Sequence, residues 1–314
     1  MVKKSKEDLS LTEKKSRLNA LMAEKNREYK GIVLKYAKDE EAPSRTLFGI
    51  APIDELTGGV PSKRFSIIYG SKGTAKTSLA YLAIAQAQKN KKICAYIDME
   101  RSYDEIRAKQ FGVNTDDLIL ASSFEDAEQA MDVFISMCKE QVVDLIVLDS
   151  IQAMSPKGEQ ETKKGKQKSI EDDTMALLAR KLSQFFRMSA AGVYKGDVTV
   201  ILIGQTRLNL GGFIALESLS GGHALQHWST MTIHTKRGPK AESPTEKVTL
   251  EELDEDGKKI KLERIIGFES IIKLEKIKIS GAKMEGTETR LPFFFASGYE
   301  KPIEIKKETN EKVS

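Results

Sequence analysis

The chain has 314 residues, 40% hydrophobic and 31% charged, with no apolar run long enough to span a membrane. Its 50 basic and 46 acidic residues leave a formal charge of +4. Net charge therefore excludes little about partners, and local clusters must carry that argument. The two cysteines, Cys94 and Cys138, lie far apart in apolar segments without metal-ligand spacing. They read as buried free thiols in a reducing compartment. The opening "MVKKSKEDLS" lacks the apolar core of a signal peptide, so a cytoplasmic protein is expected.

Residues 1–42 read as an arm. "KEDLSLTEKKSRLNALMAEKNREYK" is a charged helix with a narrow contact face, and "GIVLKYAKDEEAPS" is a short strand running into a polar linker. Such an arm buries little alone and must dock on its own core or on a neighbour's. From residue 43 strands and helices alternate. "FSIIYG", "KKICAYIDME", "DLILASS", "VVDLIVLDS" and "DVTVILIGQ" are strands; "TSLAYLAIAQAQK", "SYDEIRAKQFG", "FEDAEQAMDVFISMCKEQ" and "TMALLARKLSQFFRMSAAG" are helices. This alternation predicts an α/β fold, a mostly parallel twisted sheet with helices on both faces. After about residue 228 the strands "STMTIHTKR", "EKVTLEEL", "KKIKLERII", "ESIIKLEKIKI" and "RLPFFFAS" follow without helices and predict an antiparallel extension. "DEDG" marks a hairpin turn within an inserted region at about 240–266, and residues 301–314 are a polar tail.

Open parallel sheets bind ligands beyond the carboxyl ends of their strands. After the first core strand comes "YGSKGTAKTSL", a near match to G-x-x-x-x-G-K-[ST] with Ala75 at the second glycine position. Glu100, Asp149 and Gln205 follow the next strands that point to the same edge. A glycine loop, two acids and an amide in this order describe a nucleoside triphosphatase. The backbone from Gly70 through Ser71, Lys72, Gly73, Thr74, Ala75, Lys76, Thr77 and Ser78 would cradle phosphates at a helix N-terminus. Lys76 would face the β- and γ-phosphates, and Thr77 and Asp149 would hold Mg²⁺. Glu100 is the candidate base, and Gln205 would sense the γ-phosphate. Alanine at 75 is tolerable with negative φ at a helix start, which leaves Gly70 and Gly73 free for positive φ.

Two further segments carry a signal. On the helix over 174–188, Arg180, Ser183, Gln184 and Arg187 form one polar stripe opposite Leu178, Leu182 and Phe185. Just before it, the loop at about 156–173 carries Lys163, Lys164, Lys166 and Lys168 in a run without periodicity, suited to a phosphate backbone. The loop at about 206–222, "TRLNLGGFIALESLSGG", is bounded by glycines yet apolar. It either packs on its own domain or offers wedges between nucleic-acid bases.

These blocks together resemble the RecA family of ATP-dependent homologous-recombination proteins, from about residue 5 to about residue 300. "IIYGSKGTAKTSL", "AYIDMERSYD", "VDLIVLDSIQAMSPKGE", "LARKLSQFFR", "GQTRLNLGG" and "SGGHAL" match in order. The resemblance implies a DNA-dependent ATPase that uses ATP and Mg²⁺, forms a helical homo-oligomeric filament on single-stranded DNA, and engages double-stranded DNA for pairing. It implies DNA contacts at the basic loop and at Met175, Arg180, Ser183 and Arg187. A second set would comprise Arg207, Asn209, Gly211, Gly212, Phe213, Ile214, Gly221 and Gly222. It extends the nucleotide site to Asp104 and Arg107, and implies that Lys276 and Lys278 reach a neighbouring subunit's ATP. "YKGIVLKY" is similar to the strand the family docks on the adjacent subunit. The chain departs from the bacterial pattern in carrying Arg107 where an aromatic stacks on adenine, and the family's bacterial C-terminal domain is expected to be missing. A reduced, phage-type member, placed with the host nucleoid, is the expectation. The alternatives are a paralogue that anneals or modulates without strand exchange, a RecA-like oligomeric ATPase with no DNA role, and a nucleotide-binding structural protein.

Overall fold

The computed structural model describes residues 9–157, 175–209, 216–219, 223–253 and 258–300. The chain divides into two compact units, Met1–Pro43 and Ser44–Ser314. In the first, α1 (Leu11–Glu28) starts at a capping box in which Ser10 and Glu13 bond each other's backbone N–H. None of its residues is buried. The strand expected around residues 31–36 does not form. Asn26 takes its place as hydrogen-bond partner: its Oδ1 accepts from Val33 N and Leu34 N at 2.8 Å each, and its Nδ2 donates to Leu34 O at 2.9 Å. With those backbone groups satisfied by a side chain, no strand ladder is needed. Ile32 and Val33 stay exposed.

The second unit contains a large sheet. In chain order its elements are β1 (Arg45–Thr46), α2 (Ala51–Thr57), β2 (Val60–Pro61), β3 (Arg64–Gly70), α3 (Lys76–Lys89), β4 (Cys94–Asp98), α4 (Glu105–Gln110), β5 (Leu118–Ala121), α5 (Ala127–Glu140) and β6 (Leu145–Asp149). Then follow α6 (Met175–Lys195), β7 (Thr199–Asn209), β8 (Leu216–Leu219), α7 (His223–Trp228), β9 (Ser229–Arg237), β10 (Thr245–Leu253), β11 (Lys259–Ile265), β12 (Gly267–Ile277) and β13 (Glu288–Phe294). The sheet order is β13-β12-β9-β3-β7-β6-β4-β5, with β8 paired to β7. The strands from β9 to β5 in this order are mutually parallel, while β12 and β13 add on antiparallel. The antiparallel extension is thus β12 and β13. β9, expected within it, pairs parallel to β3, and the β10–β11 ribbon forms its own two-stranded sheet.

The apolar strands are buried on both faces, which explains their unbroken hydrophobic runs. Ile68, Tyr96, Val147, Ile201 and Ile233 pack beneath α3 with Leu79, Ala83 and Ile84. Their strand neighbours Ile67, Ala95, Ile146, Leu148 and Leu202 pack on the other face with Phe134 of α5 and Leu182, Phe185 and Phe186 of α6. Each fully buried large side chain stabilises the fold by about 1.5–3 kcal/mol relative to exposure. These two layers hold the strand ends in register, which is what positions the site.

Cys94 and Cys138 are both buried and unpaired, and burial pushes each thiol up to about 12. Neither should react with a water-soluble disulfide reagent at neutral pH in the native state. Both should label together at the denaturant concentration where helical circular dichroism is lost. Labelling of one thiol at the rate of free cysteine in native buffer would contradict this packing.

Candidate functional site

The loop between β3 and α3 is held by close contacts. Gly70 ends β3 in extended backbone, and a Cβ there would lie 2.2 Å from Thr235 O and 2.7 Å from Thr74 Oγ1. Glycine is required for close approach, not for the positive φ expected of it. Gly73 does adopt φ +74°. Ala75 adopts φ +66°, ψ +23°, left-handed, which corrects the expected negative φ. The chain must reverse into α3 at this residue, whose carbonyl already accepts from Leu79 N at 3.0 Å. The loop therefore imposes on alanine the conformation glycine takes freely, at about 1–2 kcal/mol. Thr74 Oγ1 donates to Ser71 O at 2.9 Å and lies 2.7 Å from Thr235 Oγ1, while Arg237 Nε donates to Gly73 O at 2.8 Å. The start of a fourteen-residue helix then presents unpaired N–H groups and the positive end of its dipole.

Three other strand ends meet this loop. The parallel register sets Gly70 beside Gln205 and Asp98 beside Asp149. Asp149 is buried, and its Oδ2 accepts from Thr77 Oγ1 and from Tyr96 OH, each at 2.7 Å. Burial raises its pKa, the two hydroxyls hold it back, and Glu100 and Asp98 add to the rise. Lys76 Nζ donates to Ser71 O at 2.7 Å. Burial lowers its pKa, against the pull of Asp149 and Glu100. Glu100 Oε1 accepts from Ser150 Oγ and from Gln205 Nε2, the latter at 2.9 Å, and Gln152 Oε1 accepts from Gln205 N at 2.8 Å. Among the described residues no three His, Cys, Asp or Glu side chains gather to hold a metal by themselves. A hydroxyl and a carboxylate 2.7 Å apart at the start of α3 instead offer the oxygen donors a hard cation takes.

From the loop a cavity of about 280 Å³ opens, lined by Gly73 to Ser78 and by Arg107, Arg237, Phe268, Phe293 and Phe295. Arg107 sits 4.8 Å from the Phe111 ring centroid and donates to Phe295 O. Asp104 does not line this cavity: its Oδ1 accepts from Arg107 N at 3.0 Å and caps α4.

On α6, Arg180, Gln184 and Arg187 are exposed, Leu182 and Phe185 are buried, and Ser183 Oγ donates to Ala179 O at 3.0 Å. Met175 is the first residue of α6. Lys163, Lys164, Lys166 and Lys168 lie outside the described residues, as do Gly211, Gly212, Phe213, Ile214, Gly221 and Gly222. The segment read as one loop from 206 to 222 has strand stems. Arg207 and Asn209 belong to β7, which continues past Gln205 and pairs antiparallel with Ser218 and Leu216 of β8. Lys276 donates to Gln226 O and to Ser229 Oγ, and Lys278 to His227 O at 3.0 Å. Both lysines thus share one face and meet the C-terminal end of α7. Burial lowers the Lys276 pKa, and Lys278 adds to the shift.

Sequence reading missed Tyr96, Ser150, Gln152, Arg237 and the three phenylalanines of the cavity. Strand alternation held a signal for one of them. Tyr96 lies on the same face of β4 as Cys94, the face that α3 covers. The others come from distant segments and carry no local pattern.

A family model described as the RecA N-terminal domain matches residues 18–276. The Protein RecA of Sulfurovum sp. (strain NBC37-1) is 39% identical over 182 residues, covering 57% of this chain and 50% of the relative. The Protein RecA of Leptospira biflexa is 32% identical over 246 residues, covering 75% and 62%. That of Mannheimia haemolytica is 31% identical over 274 residues, covering 85% and 67%. The chain spans about half the length of the first of these relatives.

The left-handed Ala75 gives a direct test. Ala→Gly inside a helix ordinarily destabilises by about 1 kcal/mol. Ala75→Gly should instead be neutral or stabilising by up to about 1 kcal/mol in urea unfolding, because relief of the left-handed strain offsets the entropy of glycine. Destabilisation by a full helix-interior penalty would show that residue 75 has negative φ.

Proposed function

The chain belongs to the RecA family, and from that premise we propose that it is a DNA-stimulated ATPase that assembles on single-stranded DNA and promotes homologous pairing in recombination and repair. The observation that carries the reading is Glu100, whose one carboxylate oxygen accepts from Ser150 and from Gln205 beside the phosphate loop. A base so held is oriented but remains a good acceptor for a water proton. Lys76 and the amides at the start of α3 bind the phosphates of ATP. Thr77 and Asp149 would hold Mg²⁺, which supplies charge neutralisation at the β- and γ-phosphates. Gln205, bonded to Glu100, would exchange that partner for the γ-phosphate.

The DNA surface in this reading comprises the 156–173 loop, the exposed α6 arginines Arg180 and Arg187, and the tip beyond β7 and β8. Apolar residues there, Phe213 above all, would stack against bases. Lys276 and Lys278 would serve a neighbouring subunit's nucleotide, as an arginine finger does in trans. The arm would bind the adjacent subunit in a helical filament. Double-stranded DNA would be the second partner, and the cytoplasm, with the nucleoid of a host if phage-encoded, the place of action. No helix among the described residues is long and apolar enough to cross a membrane.

The test is ATP turnover with and without single-stranded DNA, together with negative-stain imaging. Stimulation and filaments are expected. Absence of both would leave an ATPase without a DNA role. Lys76→Ala should lower turnover by at least about 100-fold, as loss of a charge-assisted transition-state contact requires. Lys276→Ala should reduce DNA-stimulated turnover while leaving nucleotide affinity within about threefold, a change under 1 kcal/mol. Equal loss of both would argue against action in trans.

A further inference from the structure

The nucleotide cavity does not end in the surroundings an adenine ring calls for. Resting on the nucleotide-site reading above, the phosphates occupy the loop end, so the base must lie in the remainder. That part is walled by two guanidinium groups and three phenylalanines. Arg107 is fixed by bonds from Nη1 to Phe295 O and, at 3.3 Å, to Gln110 Oε1, and by the Phe111 ring at 4.8 Å. Arg237 is fixed by its Nε bond to Gly73 O at 2.8 Å and by the Phe268 ring at 4.4 Å. Its Nη2 lies over the loop, 2.7 Å from where a Cβ on Gly73 would stand.

Neither guanidinium has a carboxylate within ion-pair distance among the described residues. The Nη2 of Arg107 and both terminal nitrogens of Arg237 keep donors that no described residue accepts. The cavity lining includes no Asp, Glu, Asn or Gln side chain.

Guanidinium groups only donate hydrogen bonds. The outer edges of the two purines differ there: guanine presents two acceptors, O6 and N7, whereas adenine presents N7 and an amino donor. The two guanidinium donors match the first edge and oppose the amino group of the second. Phe295, half-exposed, can stack on either ring. We propose that Arg107 and Arg237 make this a base subsite that reads the O6/N7 edge, so that the protein binds GTP at least as tightly as ATP.

The experiment is competitive displacement of a fluorescent ATP analogue by ATP, GTP and ITP, the last carrying O6 and N7 without the 2-amino group. GTP and ITP are expected to bind at least as tightly as ATP. Arg107→Gln should weaken GTP and ITP by about 5- to 150-fold, the range for loss of a base-edge arginine contact, and ATP by a smaller factor. Arg237→Gln should act in the same direction. Tighter binding of ATP by more than threefold overturns the inference, as does equal weakening of all three nucleotides, which would assign the arginines to phosphate. Failure of any triphosphate to bind overturns the nucleotide site itself and this subsite with it. Binding of ATP with exclusion of GTP overturns only the subsite. Unchanged thermal melting of the variants separates these outcomes from misfolding.

Discussion

One buried oxygen, Oδ2 of Asp149, sets the geometry on which the site depends. Thr77 and Tyr96 both donate to it at 2.7 Å, so it joins the start of α3, the middle of β4 and the end of β6. Leu145 and Val147 of β6 pack on one face of the sheet, Ile146 and Leu148 on the other. The carboxylate therefore cannot shift without disturbing both layers. Burying an acid is costly unless it is hydrogen-bonded and paired. Here burial raises the Asp149 pKa while the Tyr96 and Thr77 hydroxyls hold it back, and burial lowers that of Lys76 against the pull of Asp149 and Glu100. The carboxylate and its two hydroxyls thus form one unit, positioned by strands whose own burial is apolar.

The same rigidity explains why a strained alanine survives in the β3–α3 loop. Residue 75 is left-handed because α3 behind it and the loop before it leave no other path. Eight of the fourteen residues of α3 are buried, so the helix is anchored well beyond its first turn. The loop is tied to β9 by Thr235 and Arg237. A local cost of one or two kcal/mol persists when the surroundings over-determine it.

Much of this was legible in the sequence, and the limits have physical causes. The alternation of apolar strands and helices gave the parallel core, and the residue after each strand gave Lys76, Thr77, Glu100, Asp149 and Gln205, because parallel strands bring their carboxyl ends to one edge. The sign of φ at Ala75 was misjudged because helix preference says nothing of how the loop must turn. The strand expected near Val33 failed because Asn26, seven residues earlier, captures its backbone. Arg237 and the phenylalanines stayed hidden because β9, β12 and β13 reach the phosphate loop only through the sheet order. Among the described strands, β10 and β11 pair only with each other.

What distinguishes this site from a simple phosphate pocket is the path that leaves it. β7 runs without a break from the buried core through Gln205 to Asn209 and pairs there with β8. α7 follows, and its last carbonyls take the ammonium groups of Lys276 and Lys278. Gln205 holds Glu100 by a hydrogen bond to a charged group, the kind that is stronger than a neutral one. Turning that amide toward a phosphate would leave the Glu100 oxygen with Ser150 as its one partner, and the residue that turns is the root of the β7–β8 pair. Under the proposed function, the nucleotide-sensing residue and the DNA-binding segment therefore lie along one stretch of chain, and the two lysines reach the α7 that follows it from the end of β12. Coupling between ATP and DNA then needs no long-range relay, only a change of partner for one side-chain amide.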